Sequence, residues 1–168
     1  MPEKENVFSS KIKYKGIFSL SDYYNFCYDW LRDETQMDMI TEEKYSEKIK
    51  ETGKDIEFVW KGQKKLTDYF RFDIEITARI NWLTEVEINQ GGAKVKSNKG
   101  NMEMKTVGVL VRDYDGKFET TAFRKFLRSI YEKWVIPARI EEFQGKVFDY
   151  CDEFMSQAKA YLDLEGRK

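Results

Sequence analysis

At 168 residues, 41% hydrophobic and 15% aromatic, the chain is sized for one domain with a substantial core and is too rich in large apolar side chains for a disordered polymer. Its 29 Lys and Arg offset 30 Asp and Glu for a net charge of −1, so there is no global pull toward nucleic acid or an anionic membrane, although a local basic patch is compatible with that balance. The absence of histidine excludes Ser-His-Asp and Cys-His nucleophile systems, histidine metal ligation and a histidine pH switch.

Residues 1–10, charged at the start (MPEKEN), are expected to form a flexible N-terminus, with residues 11–165 as a single α+β domain. Lys11–Phe18 alternates, placing Ile12, Tyr14, Gly16 and Phe18 on one face, and predicts a first strand. Ser19 or Ser21 can cap the helix that follows. There Leu20, Tyr23, Tyr24, Cys27, Trp30 and Leu31 recur at three- and four-residue steps, ending near Arg32–Glu34. Residues 36–53 fit two structures: a short helix from Thr41 to Gly53, or an edge strand with Tyr45 and Ile49 inward and lysines blunting the edge. Strand is preferred, because the β-rich segment after it needs a partner.

Ile56, Phe58 and Trp60 alternate as a strand. From Phe70 to Ile88, the residues Phe70, Phe72, Ile74, Ile76, Ala78, Ile80, Trp82, Val86 and Ile88 all occupy even positions, and charged or polar residues fill most odd ones. One apolar and one wet face imply an antiparallel sheet covered on one side. Extended without a break, this segment would span roughly 60 Å, against roughly 40 Å for a domain of this size. It must therefore bend or break, and Asn81–Leu83 is the predicted place. The lysine-rich stretch between Gln90-Gly91-Gly92 and Asn98-Lys99-Gly100 reads as an exposed, mobile hairpin loop. Met102–Arg112 is the next strand, apolar on both faces at Val107–Val111 and so placed inside the sheet, and Asp115-Gly116 marks a turn.

Two helical segments complete the chain. Phe123, Phe126, Leu127, Ile130, Tyr131 and Trp134 form one stripe, expected to face the core. Pro137 stops or kinks the helix at about Ile136. Ile140, Phe143, Val147, Cys151, Phe154, Ala158 and Tyr161 form a second stripe, close to a heptad seam, with Gly166 as a C-cap. The expected architecture is α+β: a curved antiparallel sheet of about five strands, packed on one face by an N-terminal helix and a long, Pro-kinked C-terminal helical segment. This element order resembles the helix-grip arrangement of START-type lipid-binding domains, in order alone, and departs from it in having two terminal helical segments split at Pro137. An order of elements does not fix function.

Several residue sets bear on function. Arg71, Asp73, Glu75 and Arg79 share the wet face of the long strand; paired carboxylates there could do acid/base work, but a solvated, charge-alternating face that keeps the sheet soluble and in register is the preferred reading. Arg124, Lys125 and Arg128 lie beside an aromatic stripe ending at Trp134, a pattern that can lie on an anionic membrane or grip phosphates, with Glu132 weakening the field. Asp113, Asp115 and Gly116 resemble the start of a calcium loop, yet the twelfth position is Arg124 rather than a glutamate. No phosphate-loop or dinucleotide glycine spacing occurs, and no catalytic residue, cofactor or metal is expected. Cys27 and Cys151 sit among apolar residues, as buried reduced thiols would. With neither a signal-peptide core nor an 18-residue apolar run, the expected location is the cytoplasm. The expected function is a non-catalytic interaction module with a protein partner, such as a second copy docked through the C-terminal helices; peripheral membrane contact is compatible and nucleic acid is not expected. The alternatives are a small apolar-ligand or lipid carrier with a pocket between sheet and C-terminal helices, and a carboxylate-based enzyme.

Overall fold

Alternation of apolar and polar residues makes the strands here, and its phase decides which side of the sheet is covered. A computed structural model of the chain describes residues 3–116 and 121–165. It has strands β1 (Glu3–Phe18), β2 (Met39–Lys50), β3 (Gly53–Lys65), β4 (Phe70–Gln90) and β5 (Ala93–Arg112), with helices α1 (Leu20–Thr35), α2 (Ala122–Ile130) and α3 (Pro137–Glu165). The sheet is open and antiparallel throughout, in the order β1-β5-β4-β3-β2. The α+β architecture expected from the sequence is the one observed. Strands β2 to β5 form a meander and β1 joins beside β5, so α1 carries the chain from one sheet edge to the other across a face.

Helices α1 and α3 lie side by side on that face. Ser19 caps α1, its hydroxyl accepting from the Asp22 N–H at 3.4 Å. Between the helices, Phe26 stacks on Tyr161 at 4.6 Å and Trp30 meets Phe154 at 5.5 Å. From α3, Phe143 packs on Phe70 at 4.8 Å and Tyr150 stacks on Phe72 at 5.7 Å. The even residues from Phe70 to Ile80 are all buried beneath this roof. The heptad-like run of α3 is therefore largely consumed within the chain: Phe143, Val147, Cys151, Phe154 and Ala158 are buried, and Ile140 and Tyr161 are half-buried. Cys27 and Cys151 are free and buried, and burial pushes both thiols up to about 12, leaving them protonated at neutral pH.

The long strand breaks where its length demanded. The β4/β5 register shifts between Asn81 and Thr84, and Trp82 has a φ of 55°. Trp82 turns to solvent and Leu83 takes the buried place. Past the break, β4 and β5 run on as a two-stranded arm closed by Gly91 and Gly92, with φ of 59° and 84°, the positive values a two-residue hairpin needs. This corrects the expected loop at 91–100: Ala93–Gly100 is strand, because the Gly-Gly turn is tight enough to pair Gln90 with Ala93.

Two further expectations change. The first strand begins at Glu3 rather than Lys11, with Glu3 paired to Arg112, so residues 3–10 are sheet rather than a flexible terminus. A register shift between Asn6 and Phe8 puts Glu5, opposite Leu110, on the same face as Phe8, opposite Gly108. Residues 39–50 are an edge strand with Tyr45 on the expected face, opposite Phe58 and 6.3 Å from Tyr24, but Tyr45 and Ile49 stay exposed, since β2 lies at the margin of the roof. The Asp115-Gly116 turn forms, the Gly116 N–H donating to the Asp113 carbonyl at 2.8 Å. The Gly166 cap falls outside the described residues.

Candidate functional site

Helix α2 is folded inside out relative to its expected orientation. Thr121 caps it, accepting from the Arg124 N–H at 3.1 Å, and a π-turn over Tyr131–Val135 leads to Pro137, with the Ile136 N–H donating to the Tyr131 carbonyl at 3.0 Å. The stripe predicted to face the core faces water at every position but Tyr131, which packs on Tyr69 at 5.7 Å. No residue of α2 is buried, and Phe123, Phe126 and Trp134 are 67%, 59% and 72% exposed, with Leu127 and Ile130 also open.

The opposite side of the helix explains the reversal. Arg128 turns inward, its Nη1 lying 3.6 Å from Asp113 Oδ2 and its Nη2 3.9 Å from Glu3 Oε1. Asp113 is only 2% exposed, so this aspartate needs a cation more than the core needs another phenylalanine. Glu132 also turns inward, accepting from the Tyr69 hydroxyl and lying 3.4 Å from Arg112 Nη1. Of the predicted basic cluster, Arg124 and Lys125 stay exposed while Arg128 joins this buried network. Lys133 Nζ lies 5.4 Å from the centroid of the Trp134 ring.

Arg112, at the end of β5, ties the anchor together by reaching Glu5 as well as Glu132. Gln144 of α3 donates to Glu5 Oε1 at 2.8 Å. Burial raises the Glu5 pKa, but the hydrogen bonds from Gln144 and Arg112 lower it more, and the net shift is downward. A carboxyl depressed in the folded state stabilises fully above its unfolded pKa of about 4.3 and loses that contribution as pH falls through the folded value. Urea unfolding measured at decreasing pH should therefore show a loss of stability below about pH 4.3 that is smaller in Glu5→Gln. Equal acid dependence in the two proteins would remove Glu5 from the anchor.

The sheet's uncovered face keeps Arg71, Asp73, Glu75 and Arg79 together, as their parity required. The Arg71 guanidinium grips Asp73 with two bonds, 2.7 Å from Nε to Oδ1 and 2.8 Å from Nη2 to Oδ2. Glu75 is exposed, and Arg79 lies 3.8 Å from Glu57 of β3. Asp73 and Glu75 line a depression of about 230 Å³ on this face, Asp73 paired with Arg71 and Glu75 open to solvent.

The space between sheet and α3 is filled by Phe143, Tyr150, Cys151 and Phe154. A groove of about 550 Å³ opens elsewhere, between α1, β2 and β3, lined by Tyr24, Tyr45, Ile56, Phe58 and Leu83. At its rim the Tyr24 hydroxyl donates to Glu42 at 2.6 Å and the Tyr45 hydroxyl to Glu47 at 2.9 Å. Burial, then the Glu42 bond, pushes the Tyr24 phenol up to about 12. The sequence carried no signal for this groove, which depends on the β2/β3 register. Nor did it carry one for the Arg112 anchor, which joins residues more than a hundred positions apart.

No protein-family model and no curated protein sequence matches this chain.

Proposed function

We propose that this chain is a non-catalytic interaction module that holds a partner with the outward face of α2 and its π-turn. One observation carries the reading: Phe123, Phe126, Leu127, Ile130 and Trp134 form a contiguous apolar stripe exposed to water. Large exposed apolar patches mark contact surfaces. Leaving these five side chains wet forgoes on the order of 5 kcal/mol of burial, while Asp113, Glu132 and Arg112 hold the helix in that orientation. Engagement of Asp73 by Arg71 counts against the carboxylate enzyme, and the filled core beneath α3 counts against a carrier with its pocket there.

The test is a photo-crosslinking residue, benzoylphenylalanine, at Phe126 in the native host, with Glu153 on the outer face of α3 as control. An adduct to a protein or lipid is expected at 126 and not at 153. No adduct at 126, or equal labelling at both positions, removes the proposal.

A further inference from the structure

Resting on the reading just given, the chemistry of the partner is argued by the charge around the stripe. The segment from Thr121 to Val135 contains one acidic residue, Glu132, and it is folded inward against Tyr69 and Arg112. The charged side chains left exposed on α2 and its π-turn are Arg124, Lys125 and Lys133, all positive. Among the described residues, this segment therefore presents a stripe of two phenylalanines, a leucine, an isoleucine and a tryptophan, and the charges that the segment itself exposes beside it are cations. We infer that this face docks onto the interface of an anionic lipid bilayer.

Three features favour a bilayer over a second copy of the chain. A two-fold pairing of α2 with itself would bring like-charged flanks together, and the repulsion would oppose the apolar gain. The helix is a convex ridge with none of its residues buried, a shape that a bilayer accepts lengthwise, with the apolar face sunk to the level of the acyl boundary. Lys133 beside the Trp134 ring is the pairing suited to headgroup depth, where the indole straddles the boundary and the ammonium reaches phosphate. The chain as a whole has a net charge of −1, so the attraction is local to this element and short in range.

Cosedimentation with vesicles tests the inference. Wild-type protein should bind mixed phosphatidylcholine–phosphatidylserine vesicles on the order of tenfold more tightly than pure phosphatidylcholine vesicles at low salt, from Lys125 and Lys133 alone, and added salt should erase that preference. Lys125→Glu/Lys133→Glu should lose the preference for anionic vesicles. Phe126→Ser/Trp134→Ser should lose binding to both vesicle types with its melting temperature unchanged, which separates lost docking from lost folding. Failure to bind the anionic vesicles, or binding indifferent to Phe126→Ser/Trp134→Ser, overturns the lipid assignment. If vesicles are not bound while the position-126 crosslink goes to a protein or a second copy, the lipid assignment falls and the interaction surface stands. If no crosslink forms either, both fall.

Discussion

Trp60→Ala is expected to lower the free energy of unfolding by about 3–5 kcal/mol, whereas Trp134→Ala is expected to change it by less than about 0.5 kcal/mol. Both tryptophans sit between a valine and a lysine in the sequence, and only their surroundings distinguish them. Trp60 has no exposed surface. Its ring lies 4.8 Å from Phe58 and from Tyr24 and 5.7 Å from Tyr28, so its loss opens a cavity beneath α1, where the helix crosses the sheet. Trp134 touches the body of the protein so little that its removal leaves nothing unfilled. Urea denaturation decides the matter: with a slope of about 1–3 kcal/mol per molar, Trp60→Ala should shift the midpoint by at least about 1 M, and Trp60→Phe should fall between it and the wild type. A comparable loss in Trp134→Ala would mean that the α2 stripe is packed rather than exposed, and the proposed function would go with it.

Where the sequence was legible, a single period ran long enough to be unambiguous. The even-numbered apolar residues from Phe70 to Ile80 named both the strand and its buried face, and simple arithmetic on strand length placed the break at Asn81–Leu83. Where it was not, pairing overrode local composition. Lys94, Lys96 and Lys99 read as loop because lysine disfavours sheets, yet a Gly-Gly turn with positive φ at both positions starts a strand whatever follows. The N-terminal MPEKEN reads as frayed because its charges lack visible partners. Those partners, Arg112 for Glu3 and Glu5, lie on the neighbouring strand β5, more than a hundred residues on in the sequence.

The orientation of α2 shows the same limit at the site itself. Amphipathicity establishes that a helix has an apolar face, not that something covers it. Geometry available from the sequence did bear on the question. Five strands spaced about 4.8 Å apart make a sheet roughly 24 Å wide, and helices pack about 8–10 Å apart. The helix from Leu20 and the long one after Pro137 therefore fill most of one face between them. The short helix had no place left on the roof, and its phenylalanines had only solvent or a partner to face. What the sequence could not supply was Asp113, a turn residue whose burial draws Arg128 inward and fixes which side of the helix looks out.

Gly108→Ala provides a second large effect and probes the contact that holds α3 on the sheet. Gly108 lies in β5, between β1 and β4, and a Cβ placed there would sit 2.5 Å from Cys151 Sγ and 3.2 Å from a Val147 methyl. Alanine at a strand position ordinarily improves on glycine by roughly 0.5–1 kcal/mol. Here overpacking of about 1–3 kcal/mol should win, because the opposing atoms belong to a helix held on both sides by Phe143 on Phe70 and Tyr150 on Phe72 and cannot retreat alone. Cys151→Ala removes the clashing sulfur, so Gly108→Ala/Cys151→Ala should be more stable than the sum of the two single losses, with a coupling of about 0.5–3 kcal/mol. Additive losses, or a Gly108→Ala protein as stable as wild type, would show that α3 does not approach β5 this closely. The same close approach keeps Val147 and Cys151 buried against β5, and on the proposed function it leaves contact with a partner to the neighbouring short helix.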